Sequence, residues 1–394
     1  MVRGRVLTTG GVLEDGVVVV AGERLTFVGP ADEYDARRHG HTSAGEPGLS
    51  GGSDAIVLPG LVDVHNHGGG GASFASGDPD ELRRAARAHL AHGTTSVIAS
   101  TVTDAPQAML AAVTAAADAV AAGTVIGIHV EGPFLAPARC GAQDPRHLRA
   151  PDLGLTRELL VAGRGHVRAM TLAPELRGAD EVVGLLLDEG VVPAVGHTDA
   201  PADLVRRTLA RSRQALGRPG LVTHLFNGMP SLHHRTPGPV AGALTAAASG
   251  DALVELVADG AHLADETVRM VFALLGPERV VLVTDAMTAA GMPDGSYHLG
   301  PQAVRVEDGV ARLGAEPDAP LAGGTSHLLD VVRRCVGAGI DLSDAVSAAT
   351  RTAAGALGLD AAAGALTEGT AADLVVTDRD LQPLRVMRRG AWVT

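Results

Sequence analysis

Short apolar runs alternate with turns over the first 57 residues of the chain. Residues 16–20 and 25–29 are two such runs with a turn between them, a pattern that predicts a β-hairpin. Runs of the same type return near the C-terminus, for example at 372–376. Because both ends of the chain are rich in β-type runs, we predict that residues 1–57 and 359–394 fold together into one small β-sandwich domain.

The central part of the chain, residues 58–358, alternates apolar strand-length runs with helical segments. The runs that are apolar at nearly every position are the one that ends just before His65 and those at 95–100, 125–130, 167–172, 191–195, 221–223, 253–258 and 280–284. Strands of a parallel sheet have this continuous apolar character because helices cover both faces of the sheet. We therefore predict an α/β fold, a (β/α)8 TIM barrel. Hairpin-like runs predict a β insertion in this domain near 295–320.

The first helix of the predicted barrel has recognisable boundaries. Asp78 suits the N-cap, Pro79 suits the first helical position, and Glu81 is expected to complete a capping box. Gly93 follows the last apolar residues of the segment and predicts the end of the helix.

The charged residues restrict the classes of function. The 394 residues include 45 acidic and 32 basic ones, for a net charge of −13. This balance argues against a nucleic-acid partner, because phosphate binding needs a basic face. All 32 basic residues are arginines. The sequence therefore excludes enzymes that need a lysine amine, such as Schiff-base enzymes and P-loop NTPases, and metal sites bridged by a modified lysine.

The cysteines and the apolar runs bear on the cellular compartment. The two cysteines, Cys140 and Cys335, form no CxxC pair, so neither a disulfide framework nor a zinc finger is indicated. The first thirty residues do not resemble a secretory signal, and the apolar runs are far shorter than the roughly 20 residues of a membrane helix. We expect a cytoplasmic protein without a membrane partner.

Two histidines follow the first predicted barrel strand at a spacing typical of metal ligands. His65 and His67 project to the same side because side chains on a strand alternate with a period of two, and imidazole is a common zinc ligand. The spacing alone is a weak signal, since His39 and His41 share it within a Gly-rich loop. We predict that the loop pair is solvated and that the strand pair binds metal.

Further candidate ligands follow other predicted barrel strands at their carboxyl ends. They are Glu131 after strand three, His197 after strand five, His224 after strand six and Asp285 after strand eight. Active sites of this barrel class occupy that face, so these side chains are expected to meet at one mouth. A carboxylate at the end of so apolar a strand as that of Glu131 needs a metal or another cation beside it. The ligand types suit Zn²⁺ or Fe²⁺.

Seven motifs are distributed over residues 59–325. They are PGLVDVHNHGG at 59–69, HVEGPF at 129–134, GHT at 196–198, THLFNGMP at 223–230, ADGAH at 258–262, VTDA at 283–286 and LAGGT at 321–325. In this order the motifs resemble those of the N-acetylglucosamine-6-phosphate deacetylase family of the amidohydrolase superfamily. The tail at 369–376 also resembles the closing segment of amidohydrolases. The blocks EGPF and HLFNGMP are specific to the deacetylase branch, whereas the first motif is shared across the superfamily.

The resemblance implies a metal-dependent hydrolase that releases acetate from N-acetylglucosamine 6-phosphate. It implies that Glu131, His197 and His224 bind one metal ion. Some family members lack both histidines of the first strand and use that single metal. Because His65 and His67 are present here, we expect a second metal held by them, with Glu131 as the bridge. We thus expect two divalent ions per chain, Zn²⁺ or alternatively Fe²⁺.

The resemblance also implies a catalytic residue and a set of substrate contacts. Asp285 resembles the general acid/base that takes a proton from the attacking water and returns it to the departing amine. The implied substrate contacts are Ala142, Asn227, Gly228, Arg235, His262, Leu321, Ala322 and Gly323. Arg235 is expected to hold the 6-phosphate in a bidentate contact, either in its own subunit or in a neighbouring one. We expect a homodimer or a higher homo-oligomer.

Three alternatives remain open. A deacetylase of N-acetylgalactosamine 6-phosphate would differ only in the orientation of one hydroxyl group, which the sequence does not reveal. Another amidohydrolase activity is a second alternative, although cyclic-amide hydrolases usually bridge their metals with a modified lysine, which this chain does not contain. A catalytically inactive barrel that serves as an assembly protein is the third, but such relatives typically lose ligands that this chain retains.

Overall fold

The computed structural model describes residues 1–38, 49–50, 55–314, 316, 319–359 and 363–393 of the chain. The HxH pair of His39 and His41 lies outside these residues, so its solvation stays a prediction.

The N-terminal region is built from β-strands. The elements are β1 (Val2–Thr8), β2 (Gly11–Ala21), β3 (Arg24–Pro30), helix α1 (Ala31–Arg38), β4 (Leu49–Ser50) and β5 (Ile56–Pro59). β1 and β2 form an antiparallel hairpin, β3 extends it, and β5 pairs with β1 in parallel. Val6, Val18 and Val57 pack together on one face of this sheet. Burial alternates with period two in β3, where Leu25, Phe27 and Gly29 are buried between more exposed neighbours.

A curled parallel sheet follows, as predicted from the apolar runs. The strands, with a short hairpin after the first, are β6 (Leu61–Asp63), β7 (Gly68–Gly69), β8 (Ala72–Ser73), β9 (Thr94–Val97), β10 (Ala99–Thr101), β11 (Ile128–Glu131), β12 (Val167–Leu172), β13 (Val192–Val195), β14 (Gly220–Val222), β15 (Ala252–Leu256) and β16 (Val280–Leu282). β10 to β16 pair in sequence order, and β6 pairs with β9, which continues into β10 after one residue. A parallel bridge from Asn66 to Ala286 joins the first strand to the last. The result is the TIM-barrel-like fold expected from the sequence.

Helices surround this sheet. They are α2 (Pro79–Ala91), α3 (Pro106–Ala121), the 3₁₀ turn Pro137–Arg139, α4 (Leu153–Ala162), α5 (Ala179–Asp188), α6 (Ala202–Leu216), α7 (Gly238–Ala248), α8 (Asp265–Leu275), α9 (Leu328–Gly337), α10 (Leu342–Ala348) and α11 (Arg351–Ala356). Among the residues described, no helix is both long enough and apolar enough to span a membrane.

The boundaries of α2 are largely as predicted, but its capping is different. Asp78 is the N-cap, and its side chain accepts a hydrogen bond from the backbone N–H of Asp80. Glu81 does not complete a capping box, because its Oε2 accepts instead from the backbone N–H of Ser73 at 3.0 Å. The carboxylate therefore ties the helix to the β7–β8 hairpin. Gly93 has a φ of +96° and ends the helical segment as expected.

A three-stranded antiparallel insertion lies over the mouth of the barrel. It consists of β17 (Gly295–Leu299), β18 (Gln302–Glu307) and β19 (Val310–Arg312). Leu299, Val304 and Val306 pack with Ala142 and Ala322 in one buried cluster. The insertion thus supports two loops for which the sequence predicts substrate contacts.

The C-terminal strands complete the N-terminal sheet. They are β20 (Leu374–Thr377), β21 (Pro383–Arg388) and β22 (Ala391–Trp392), and β20 pairs antiparallel with both β5 and β21. Both chain ends therefore fold together, which confirms that prediction. β5 pairs with β1 along one edge and with β20 along the other, so the strands of both chain ends form one continuous mixed sheet. The sequence predicted a sandwich here, and the structure shows this single sheet. The domain boundaries themselves stay predictions.

Candidate metal centre and active site

Three predicted ligands meet in a group that we call the His–His–Asp cluster, formed by His65, His67 and Asp285. The Nε2 atoms of the two histidines are 3.1 Å apart. Asp285 Oδ1 lies 3.3 Å from His65 Nε2 and 3.2 Å from His67 Nε2. Three ligand atoms at this separation can converge on a single metal ion.

The other three predicted ligands form the Glu–His–His cluster of Glu131, His197 and His224. Glu131 Oε1 lies 3.2 Å from His197 Nε2 and 3.1 Å from His224 Nε2. The second oxygen of the same carboxylate, Oε2, lies 3.2 Å from His67 Nε2. Glu131 therefore faces both clusters, which is the arrangement that a bridging carboxylate requires.

Three of these six residues have a strained backbone conformation. His197, His224 and Asp285 each follow the end of a barrel strand and have φ values of +47°, +28° and +48°. Residues with a Cβ rarely occupy this left-handed region, and holding one there costs about 1–3 kcal/mol. The surrounding structure maintains the strain at each position, and each strained turn directs a side chain toward the same centre.

The electrostatics of the two clusters favour a cation. Burial raises the pKa of Glu131, but hydrogen bonds from His197 and His224 hold it well below its usual range. Burial lowers the pKa of His65, but the nearby carboxylates Glu255 and Asp285 outweigh this effect and raise it to about 10. The pKa of His67 rises in the same way to about 9. A buried centre that keeps its carboxylates ionised and draws protons to its imidazoles attracts positive charge. The two clusters, with imidazole nitrogen and carboxylate oxygen donors, are consistent with a metal site.

A cavity of about 260 Å³ opens beside the two clusters. It is lined by His67, Glu131, Gly141, Ala142, Gln143, His197, His224, Asn227, Gly228, His262, Asp285, Leu299, Pro320, Leu321 and Gly323. Six of the predicted substrate contacts are therefore at the cavity wall. Ala322, a seventh, is fully buried beneath the wall and does not line it.

Arg235 lies apart from this cavity. It belongs to an exposed loop, and its Nη1 contacts His234 Nε2 at 2.9 Å. It is absent from the cavity lining formed by the described residues of its own chain. A direct contact of Arg235 with a substrate in this cavity would therefore require the loop to move or the site to belong to another copy.

Two buried polar residues next to the ligands did not emerge from the sequence analysis. Gln143 Nε2 donates to Glu131 Oε2 at 2.5 Å, while its Oε1 accepts from the backbone N–H of Thr103. Glu255 contacts His65 Nδ1 through Oε2 at 2.9 Å. For Gln143 the sequence gives no signal, since it is one polar residue in a loop. For Glu255 a signal exists: a lone carboxylate within an apolar strand.

Comparisons with known proteins identify the family of this chain. A model of the amidohydrolase family matches residues 56–393, and the chain belongs to this family. Within the family, most of the chain is homologous to N-acetylglucosamine-6-phosphate deacetylases. The Bacillus subtilis (strain 168) deacetylase is 32% identical over 352 residues, which cover 86% of this chain and 84% of the relative.

Two further relatives bear on the type of substrate. The N-acetyl-D-glucosamine-6-phosphate deacetylase of Mycobacterium smegmatis has been solved as a mutant in complex with N-acetyl-D-glucosamine-6-phosphate. That structure is 39% identical, has a TM-score of 0.90, and is matched over 100% of this chain and 98% of its own. The N-acetylgalactosamine-6-phosphate deacetylase of Escherichia coli O157:H7 is 33% identical over 342 residues, covering 85% of this chain and 87% of the relative.

Proposed function

We propose that this protein hydrolyses N-acetylglucosamine 6-phosphate to glucosamine 6-phosphate and acetate. The observation that carries the proposal is the convergence of two ligand clusters on one carboxylate, Glu131, at the wall of a cavity. The similarity to N-acetylglucosamine-6-phosphate deacetylases, at 32% and 39% identity, supports this substrate class. The N-acetylgalactosamine-6-phosphate deacetylase of Escherichia coli O157:H7 is 33% identical, so identity alone does not separate the two epimers.

The metal is proposed to be Zn²⁺ or Fe²⁺, with one ion in each cluster. Glu131, His197 and His224 would hold one ion, and His65 and His67 would hold the other with Glu131 as the bridge. A bound ion would lower the pKa of a water molecule toward about 7 and polarise the acetyl carbonyl group.

Asp285 is proposed to carry the proton during the reaction. Burial raises its pKa, but His65, His67 and His224 lower it well below the usual range, so the side chain is ionised. The carboxylate can therefore accept a proton from the attacking water as the carbonyl carbon becomes tetrahedral. Asp285 then donates this proton to the amide nitrogen as the C–N bond breaks. The products are acetate and the free amine of the sugar.

The loop after His224 is proposed to bind the sugar through Asn227 and Gly228. Gly228 has a φ of +62°, and a Cβ at this position would lie 2.9 Å from His197 Nδ1. Only glycine lets the backbone pass this close to a ligand histidine without displacing it. The loop can therefore present backbone groups to the sugar directly beside the centre. Ala142, Leu321 and Gly323 are proposed as contacts from other parts of the wall, with Ala322 supporting them from below.

His262 is proposed to bind the phosphate end of the substrate. It lines the cavity, and its Nδ1–H donates to Asp259 Oδ2 at 2.8 Å. Burial lowers the pKa of His262, but the Asp259 carboxylate outweighs this effect and raises it. The imidazole is thus oriented by its partner and is able to carry a proton toward an anion.

The experiment that tests this function is acetate release from a panel of four sugars by metal-loaded protein. The panel contains N-acetylglucosamine and N-acetylgalactosamine, each with and without a 6-phosphate. We expect the highest kcat/KM with N-acetylglucosamine 6-phosphate. A preference for the galactosamine phosphate would reassign the epimer, and no release from any of the four by a metal-loaded chain would contradict the deacetylase function.

Removing both histidines of the His–His–Asp cluster is expected to lower the metal content from about two ions per chain toward one. In a variant with His65→Ala and His67→Ala, the Glu–His–His cluster keeps all three of its ligands, so its ion should remain. Metal analysis after dialysis at saturating Zn²⁺ measures the difference. If the unmodified chain already holds a single ion under these conditions, the two-metal proposal is wrong.

A further inference from the structure

Glu255 contacts one residue of each ligand cluster on the side that faces away from the cavity. Its side chain is 1% exposed and extends from β15 toward the ligands. The single oxygen Oε2 accepts two hydrogen bonds, one from His65 Nδ1–H at 2.9 Å and one from the backbone N–H of His224 at 3.0 Å. His65 belongs to the His–His–Asp cluster, and His224 belongs to the Glu–His–His cluster. One carboxylate oxygen therefore contacts both clusters without facing the cavity.

The contact with His65 determines which imidazole nitrogen can bind a cation. Oε2 already accepts the backbone N–H of His224 and is an acceptor toward His65 as well, so Nδ1 of His65 carries the proton. Nε2, which faces His67 and Asp285, is then the nitrogen whose lone pair a metal ion would bind in place of a proton. A neighbouring carboxylate also makes an imidazole a stronger ligand, because the N–H dipole is polarised toward the negative charge.

Within the described residues, His65 is the one histidine of the two clusters whose outer nitrogen has a charged partner. The outer nitrogen of His197 contacts the backbone carbonyl of Arg139 at 2.7 Å. The Nδ1 atoms of His67 and His224 are buried and have no hydrogen-bond partner among the described residues. The negative charge of Glu255 is thus directed to one ligand of the His–His–Asp cluster.

The contact with His224 acts on the backbone. His224 has a φ of +28°, at the edge of the left-handed region, and such a conformation persists only where neighbouring groups hold it. The hydrogen bond from its N–H to Glu255 is one such restraint, and the backbone bond from Leu225 N–H to the carbonyl of Glu255 is another. Both bonds hold the turn that presents the His224 side chain to Glu131.

We propose that Glu255 is a positioning residue of the metal centre, which fixes the tautomer and orientation of His65 and restrains the turn at His224. The proposal rests on the metal-dependent function proposed above. It assigns Glu255 mainly to the affinity of the His–His–Asp cluster, where the carboxylate acts on a ligand side chain. At the Glu–His–His cluster Glu255 acts on the backbone alone, and the effect there is smaller.

The test compares Zn²⁺ and Co²⁺ binding by the full-length wild-type chain, Glu255→Gln and Glu255→Asp. The glutamine variant keeps an acceptor oxygen of similar reach and removes the charge. Loss of a carboxylate behind a ligand histidine typically lowers metal affinity 10- to 100-fold. In Glu255→Gln we expect a loss of this order for the ion of the His–His–Asp cluster, which is measured as the second metal equivalent. The ion of the Glu–His–His cluster, measured as the first equivalent, should lose less affinity. The Co²⁺ absorption spectrum of the second equivalent should also change. Glu255→Asp keeps the charge and should bind the second equivalent with intermediate affinity.

The matched control is Asp373→Asn, which removes a partly buried carboxylate from the terminal sheet, where it accepts the backbone N–H of Arg389. Its metal affinities and Co²⁺ spectrum should equal those of wild type. Wild-type affinity for both equivalents in Glu255→Gln would overturn the positioning role. If Glu255→Gln does not fold, Glu255→Asp decides, and unchanged metal binding in that variant overturns the proposal. A wild-type chain that binds no metal would instead contradict the proposed function.

Discussion

Asp285→Asn is expected to lower kcat for acetate release at least about 100-fold, the lower limit for a positioned general acid/base. The amide keeps the shape of the side chain and an oxygen toward His65 and His67, so metal content at saturating Zn²⁺ and the affinity for substrate should stay close to those of wild type. An amide does not accept a proton from water at neutral pH, so both proton transfers lose their carrier. The measurements are kcat, metal content and substrate binding by the same preparation.

The control for this prediction is Asp144→Asn. Asp144 is also a buried aspartate near the mouth of the barrel, but its carboxylate pairs with Arg146 and does not line the cavity. This variant should keep kcat within a few-fold of wild type. If Asp285→Asn retains near-normal turnover with its full complement of metal, Asp285 is not the proton carrier. If it loses its metal instead, the role of Asp285 is that of a ligand.

The fold was predictable because its signals are local. The barrel strands are buried along nearly their whole length, so the mainly apolar runs at 167–172 and 280–284 identify strands without knowledge of their neighbours. The capping of α2 was predicted less well, because Glu81 had two acceptable partners. The capping box requires only residues of the helix, whereas the observed bond to Ser73 depends on the position of a separate hairpin. Such tertiary competition is not visible in a local pattern.

That the six predicted ligands lie together could be anticipated for a related reason, but the side chains that support them could not. Glu131 ends an apolar strand, and a carboxylate in that position must have a partner. The same reasoning applies to Glu255, which interrupts the apolar strand β15, but its partners lie 190 and 31 residues away in the chain. The strained turns at His197 and Asp285, with φ values of +47° and +48°, were also not foreseen. Propensity gives no indication that a residue with a Cβ will adopt a positive φ there.

Arg235→Ala is expected to lower kcat/KM for N-acetylglucosamine 6-phosphate about 30- to 1000-fold, with little change for the unphosphorylated sugar. The net charge of −13 repels an anion at long range. Affinity for phosphate must therefore come from a few local donors, and the guanidinium group forms strong paired hydrogen bonds with phosphate oxygens. Kinetics with both sugars measure the effect, and Arg206→Ala, at an exposed position on α6, is the matched control. Equal losses for both sugars would show that Arg235 does not recognise the phosphate.

Arg235 lies outside the cavity of its own chain. The arrangement to test is therefore one in which Arg235 of one copy binds the phosphate at the cavity of a second copy. We expect a mixed oligomer of Arg235→Ala and Asp285→Asn chains to regain activity that neither parent has. In such a mixture, the Arg235→Ala chain supplies an intact centre with Asp285, and the Asp285→Asn chain supplies the missing arginine to it. If Arg235 serves its own chain after a loop movement, every site in the mixture lacks one of the two groups. The activity would then stay at the level of the separate parents, because no site could combine phosphate recognition with proton transfer.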